Sequence, residues 1–163
     1  MGVRKISASA VVYLKKRGAT IVIYGIALNG RPVVVRVARR VAERLIEMSR
    51  VRRRFASGAS LRLSSAALAY VILASGVDAR SLDTIMIDRA IKRAYRINRE
   101  VREMVNSRAA TLGREYVRVW LSAGHDGVVP EEMRDLAEAV SMKAPTRVVW
   151  AYGRYVVQIP PWL

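Results

Sequence analysis

The stretch 36–54, RVARRVAERLIEMSRVRRR, carries eight arginines against two carboxylates, Glu43 and Glu47. The eight are Arg36, Arg39, Arg40, Arg44, Arg50, Arg52, Arg53 and Arg54. A guanidinium is planar, permanently charged and forked, so it matches a pair of phosphate oxygens. At most two of the eight can be neutralised within the stretch, leaving six uncompensated on about 30 Å of helical chain. Charges held that close call for an external polyanion, and phosphate is the usual one. The plainer alternative is a solvated helix laced by Arg–Glu pairs.

Two further basic clusters could extend such a contact. Lys15, Lys16 and Arg17 precede Gly18. Arg89, Lys92, Arg93, Arg96 and Arg99 share one helical face, although Glu100 and Glu103 stand at the i, i+4 spacing that would pair with Arg96 and Arg99. Other chemistry is poorly served. His125 is the only histidine, in a Gly-flanked turn, and there is no cysteine. Neither GxxxxGK[ST] nor GxGxxG occurs, and no Glu is followed two residues later by Lys as in many metal-dependent nucleases. We therefore expect no catalytic residue, no metal, no cofactor and no small-molecule substrate: a binding protein, not an enzyme.

The elements that position these residues can be read from periodicity. Val41, Leu45 and Met48 form one apolar stripe if 38–49 is helical; Arg39, Arg50 and, if the helix runs on, Arg54 project from the other side. Arg52 would fall in the apolar seam, so the regular helix should end or bend near Arg50. Upstream, 8–37 reads as a short β-meander: strands at 11–14, 20–28 and 31–37, with the Lys15–Gly18 turn and an Asn29-Gly30 hairpin between them. Pro32 suits an edge strand. A helix over 6–17, capped by Gly18, is the alternative.

Downstream, 61–75 reads as a buried helix closed by Gly76. A long helix capped by Ser81 should follow, with Ile87, Ile91, Ala94, Ile97, Val101, Met104 and Val105 holding period 3.6 for five turns. Residues 109–123 continue as a helix after a break near Gly113. Pro130 starts another that runs to about Met142, and a Trp/Tyr/Val-rich hairpin closes the chain at 147–159. The fold class is α+β: a helix-dominated single domain with N-terminal and C-terminal β-hairpins.

Composition agrees with a folded binder. The chain has 163 residues, 52% of them apolar, which excludes a disordered basic tail. Its formal charge of +16 points to a nucleic acid or an anionic membrane. That charge is uneven: 1–56 hold 14 basic and two acidic residues, 57–110 nine and five, 111–163 six and six. This suggests a basic arm at 1–18, a DNA-facing part at 19–110 and a neutral subunit-contact part at 111–163. The N-terminal MGVRKISASA lacks an apolar core, so no secretion signal is expected. A winged-helix reading is disfavoured because the helix before the last hairpin carries Glu131, Glu132, Asp135 and Glu138, the wrong sign for a groove.

The basic N-terminal residues Arg4, Lys5, Lys15, Lys16 and Arg17, the arginine stretch 36–54, the basic helix 89–102 and the neutral last third together resemble the major capsid proteins of filamentous and rod-shaped DNA viruses of hyperthermophilic archaea, most closely the tristromavirus type. The resemblance implies a nucleocapsid protein of the virion that pairs with itself or a similar subunit. It would wrap double-stranded DNA in an A-like form and stack into a helical filament, sometimes under a lipid envelope. Two other readings stay open: a cellular chromatin-like or winged-helix DNA-binding protein of the nucleoid, and a ribosomal or RNA-processing accessory protein. Few aromatics lie inside the basic segments, so backbone contact with a duplex is expected over base stacking.

Overall fold

The computed structural model describes residues 8–144, 147–158 and 162–163. The architecture is α+β, and the chain forms two compact units, Met1–Val101 and Arg102–Leu163. The first carries 21 basic and six acidic residues, net +15; the second carries eight and seven, net +1.

The first unit is built on a five-stranded antiparallel sheet. The strands are β1 (Ala8–Lys15), β2 (Gly18–Tyr24), β3 (Val33–Val37), β4 (Arg50–Phe55) and β5 (Gly58–Leu63), in the spatial order β3-β2-β1-β5-β4. Strand β1 reads ASAVVYLK, and its alternation of small or β-branched residues suits a half-covered strand rather than the alternative helix. Between β3 at one edge and β4 at the other runs α1 (Arg39–Met48). Ala10, Val12, Ile21, Ile23, Val35, Ala59 and Leu61 of the sheet are buried on one side, with Ala42 and Leu45 of α1. Helix α2 (Ser65–Ser75) packs on the same side and is buried from Ala67 to Leu73. Helix α3 (Thr84–Ile97) packs on α2, and α4 (Arg99–Arg108) follows it.

Several expected boundaries move, each for a local reason. The helix of the arginine stretch does end just before Arg50, as expected: it stops at Met48, where Ser49 turns extended and its hydroxyl donates to the Leu45 carbonyl. Arg50–Phe55 then pairs with β5 as a strand, so Arg50, Arg52, Arg53 and Arg54 are strand residues. Residues 61–63, expected in a helix, belong to β5. The Leu61-Arg62-Leu63 alternation has period two, and α2 starts only after Ser64, whose side chain accepts from the Ala67 amide. Gly76 ends that helix in the left-handed region, as expected.

Asn29-Gly30 lies within a longer loop instead of making a two-residue hairpin. Gly25, at φ 86°, ends β2; Ile26 is fully buried, and Ala27 bridges to Leu82. The long helix is capped by Asp83, not Ser81, and it is interrupted at Asn98. The Asn98 side chain accepts from the Val101 amide and so restarts the chain as α4. That break leaves Ile97, expected in the apolar stripe, 69% exposed.

In the second unit, α5 (Gly113–Ser122) buries Tyr116, Val117, Val119 and Trp120. It packs with α6 (Arg134–Lys143), which a 3₁₀ turn at Glu131–Met133 precedes, and α6 packs on the hairpin of β6 (Val148–Ala151) and β7 (Arg154–Val157). Gly127 is obligatory at φ 76°, because an added Cβ would lie 2.7 Å from the Val157 carbonyl oxygen. Ile159, the expected end of the last strand, lies outside the described residues.

Candidate nucleic-acid interface

Side chains alternate along a strand, so the face opposite the helices is fixed by register. Its residues are exposed or half-buried. Three rows cross it. One joins Tyr24 of β2, Ser9 of β1, Arg62 of β5 and Arg50 of β4. The next joins Val34, Val22, Val11, Ser60 and Arg53. The third joins Arg36, Thr20, Tyr13, Gly58 and Phe55, and Lys15 continues the same face at the end of β1.

A β-bulge shapes this surface. The β4–β5 register shifts between Val51 and Arg53, so Arg52 is the extra residue. Without it, Arg53 would point toward the helix side; the bulge aims it beside Arg50 instead. Arg54, opposite the buried Ala59, lies on the helix side of the rim and is exposed. Four guanidiniums therefore stand on the open face: Arg36, Arg50, Arg53 and Arg62. None of them has a carboxylate within ion-pair distance among the described residues.

The other expected residues divide into four groups. Lys16 and Arg17 form the β1–β2 turn, and Lys15, Arg17, Thr20, Arg36, Val37 and Ala38 line a shallow cleft of about 400 Å³ where the sheet meets the start of α1. Two arginines of α1 are engaged internally. Arg39 pairs with Glu43 at 2.9 Å and donates to the Lys15 carbonyl at 3.1 Å. Arg44 meets Glu100 at 2.9 Å and Glu47 at 3.1 Å, and its hydrogen bond to Glu100, with that to Glu47, raises its pKa further. Both carboxylates of the arginine stretch are thus consumed, as the Arg–Glu alternative requires for these two arginines. Arg40, Arg52 and Arg54 remain exposed and make no ion pair among the described residues.

Helix α3 packs on α2, on the helix side of the sheet, so its basic residues cannot share the open face. Arg89, Arg93 and Arg96 are exposed on α3, and Arg99 starts α4. Lys92 is withdrawn: its side chain is 15% exposed and sits 3.4 Å from Asp88, itself buried. The sequence reading missed Arg62, Tyr13, Tyr24 and Phe55. The signal for Arg62 was the alternation of 58–63, hidden by its apolar neighbours.

Among the described residues, no group of three or more His, Asp or Glu side chains could hold a metal ion, and no helix is long and apolar enough to cross a membrane. Comparison with protein-family models, curated proteins and solved structures finds no match for this chain.

Proposed function

We propose that this protein is a structural nucleic-acid-binding protein that grips the phosphate backbone without sequence specificity through the open sheet face of its first unit. One observation carries the reading: Arg36, Arg50, Arg53 and Arg62 share that face without carboxylate partners among the described residues. Exposed guanidiniums gathered on one surface repel each other unless a polyanion compensates them. A nucleocapsid coat in a virion, the setting implied by the sequence resemblance, is one form that this function would take.

An assembly role for the second unit fits its near-neutral charge. It also exposes Met142 (82%), Trp150 (57%) and Tyr152 (95%), large side chains of the kind that anchor protein contacts.

The test is binding of labelled random-sequence nucleic acid over a salt series. With Lys15 and the four open-face arginines engaged, the log–log slope should be about −3 to −5. Replacing Arg36, Arg53 and Arg62 with Gln should reduce that slope and weaken binding by at least about tenfold. The equivalent Arg114, Arg134 and Arg154 variant should bind like the parent. Equal loss in the two triple variants, both folded by circular dichroism, rejects the assignment of the face.

A further inference from the structure

The open face carries more than charge. Tyr13 is 44% exposed, Tyr24 44% and Phe55 36%, and all three rings stand among the four arginines. Tyr13 and Phe55 flank Gly58, with ring centroids 5.9 Å apart at 51°. The absence of a side chain at Gly58 leaves that gap clear: a Cβ there would lie 3.0 Å from the Phe55 ring and closer still to the Val12 backbone. The two rings form a tilted pair rather than a buried stack, and each keeps surface open to solvent.

Base stacking over a backbone-binding duplex mode was disfavoured because the basic segments contain few aromatics along the sequence. The sheet reverses that premise. Tyr13 and Tyr24 come from β1 and β2, neither of which is arginine-rich, and the strand order β2-β1-β5-β4 puts them on the same face as Arg50, Arg53 and Arg62. Stacked bases inside a duplex present no free π-face to such rings, whereas unpaired bases do. Resting on the phosphate-binding reading above, we infer that the open face binds single-stranded nucleic acid. Unpaired bases stack on Tyr13 and Phe55, and Arg36, Arg50, Arg53 and Arg62 hold the flanking phosphates. Every base has a π-face, so the mode is sequence-tolerant, and a guanidinium can itself stack on a base.

The experiment compares the full-length protein on four labelled probes of equal length: oligo-dT, oligo-U, an abasic strand with the same phosphates, and a random duplex. Either single strand should bind at least about tenfold tighter than the abasic strand, and tighter than the duplex. The stronger of the two names the sugar. Tyr13→Leu and Phe55→Leu should each weaken single-strand binding by roughly tenfold and leave abasic-strand binding unchanged. If the abasic strand or the duplex binds as tightly as the base-bearing strands, stacking is refuted while the phosphate-binding face stands. If none of the probes binds, the phosphate-binding reading fails with it. The abasic comparison uses the unaltered protein, so the outcome does not depend on either variant folding.

Discussion

Arg50 and Arg62 stand directly opposite each other on β4 and β5, on the same open face, with no carboxylate to separate them. Like charges facing across an antiparallel pair weaken it, where an opposite-charge pair would strengthen it by about 0.2–1 kcal/mol. The free protein therefore carries a local cost that a bound anion would remove. Arg62→Gln should raise the melting temperature of the free protein slightly at low salt, while lowering nucleic-acid affinity. The stabilisation should fade as salt screens the pair. A variant that melts below the parent and binds equally well would show that Arg62 serves the sheet rather than a ligand.

Gly58 makes the sheet possible at that point. A Cβ at residue 58 would lie 1.8 Å from the Val12 carbonyl oxygen, and backbone cannot move aside as a side chain can. Gly58→Ala should force β5 away from β1 and cost more than about 2 kcal/mol, toward the high end for overpacking. Because Tyr13 and Phe55 flank this glycine, binding should fall with stability. A urea midpoint equal to the parent's would contradict the close approach.

Tyr70 gives a pH signature for the core of the first unit. Burial pushes its phenol above the ordinary value near 10; Glu100 adds to the rise, and Arg44 and Arg40 oppose it. The unfolded chain loses this proton first as pH rises, so the contribution is fully present below about pH 10 and is lost as pH climbs through the higher folded value. Tyr70→Phe should flatten the fall in urea midpoint between pH 9 and 11. Parallel curves for parent and variant would mean that Tyr70 ionises as freely in the folded chain as in the unfolded one.

The sequence disclosed elements wherever one period ran unbroken. The apolar run into Gly76 and the stripe through Ile87, Ile91 and Ala94 are read correctly because burial repeats with the helix. Period failed where two adjacent segments shared a composition. Arg50–Phe55 follows α1 with the same arginine density; the misplaced Arg52 marked the helix end near Arg50, but nothing local announces that the chain continues as a strand. Whether an arginine faces the helices or solvent then depends on a single extra residue, Arg52, which no propensity reveals. The candidate face is less legible still. It joins Tyr24, Ser9, Arg62 and Arg50 from four strands, and only long-range pairing makes them neighbours. The charge itself follows the two units, with the surplus in Met1–Val101 and the near-neutral remainder in Arg102–Leu163.

Two aromatic residues of the last third of the chain, Trp162 and Tyr152, take opposite places in the structure. Trp162 is buried and meets Trp120 edge-on at 5.1 Å, with Arg108 donating to its carbonyl. It belongs to the core of the second unit, and Trp162→Ala should cost about 3–5 kcal/mol. Tyr152 is the opposite case. It is 95% exposed at the β6–β7 turn, with φ of 54° followed by Gly153 at 74°. A two-residue turn with both φ values positive favours Asn, Asp or Gly at its first position, so a tyrosine there works against its own backbone. On the assembly role proposed for the second unit, such strain at an exposed aromatic is explained by a contact that the side chain makes between copies. Tyr152→Asn should therefore make the second unit slightly more stable to heat while weakening self-association in sedimentation velocity. Trp150→Gln should also weaken self-association, though at a loss of about 0.5–1.5 kcal/mol from its edge-on contact with Tyr155 at 4.9 Å. Stabilisation by Tyr152→Asn with unchanged sedimentation would leave the turn strained for no contact between copies, and would remove the hairpin tip from the proposed assembly surface.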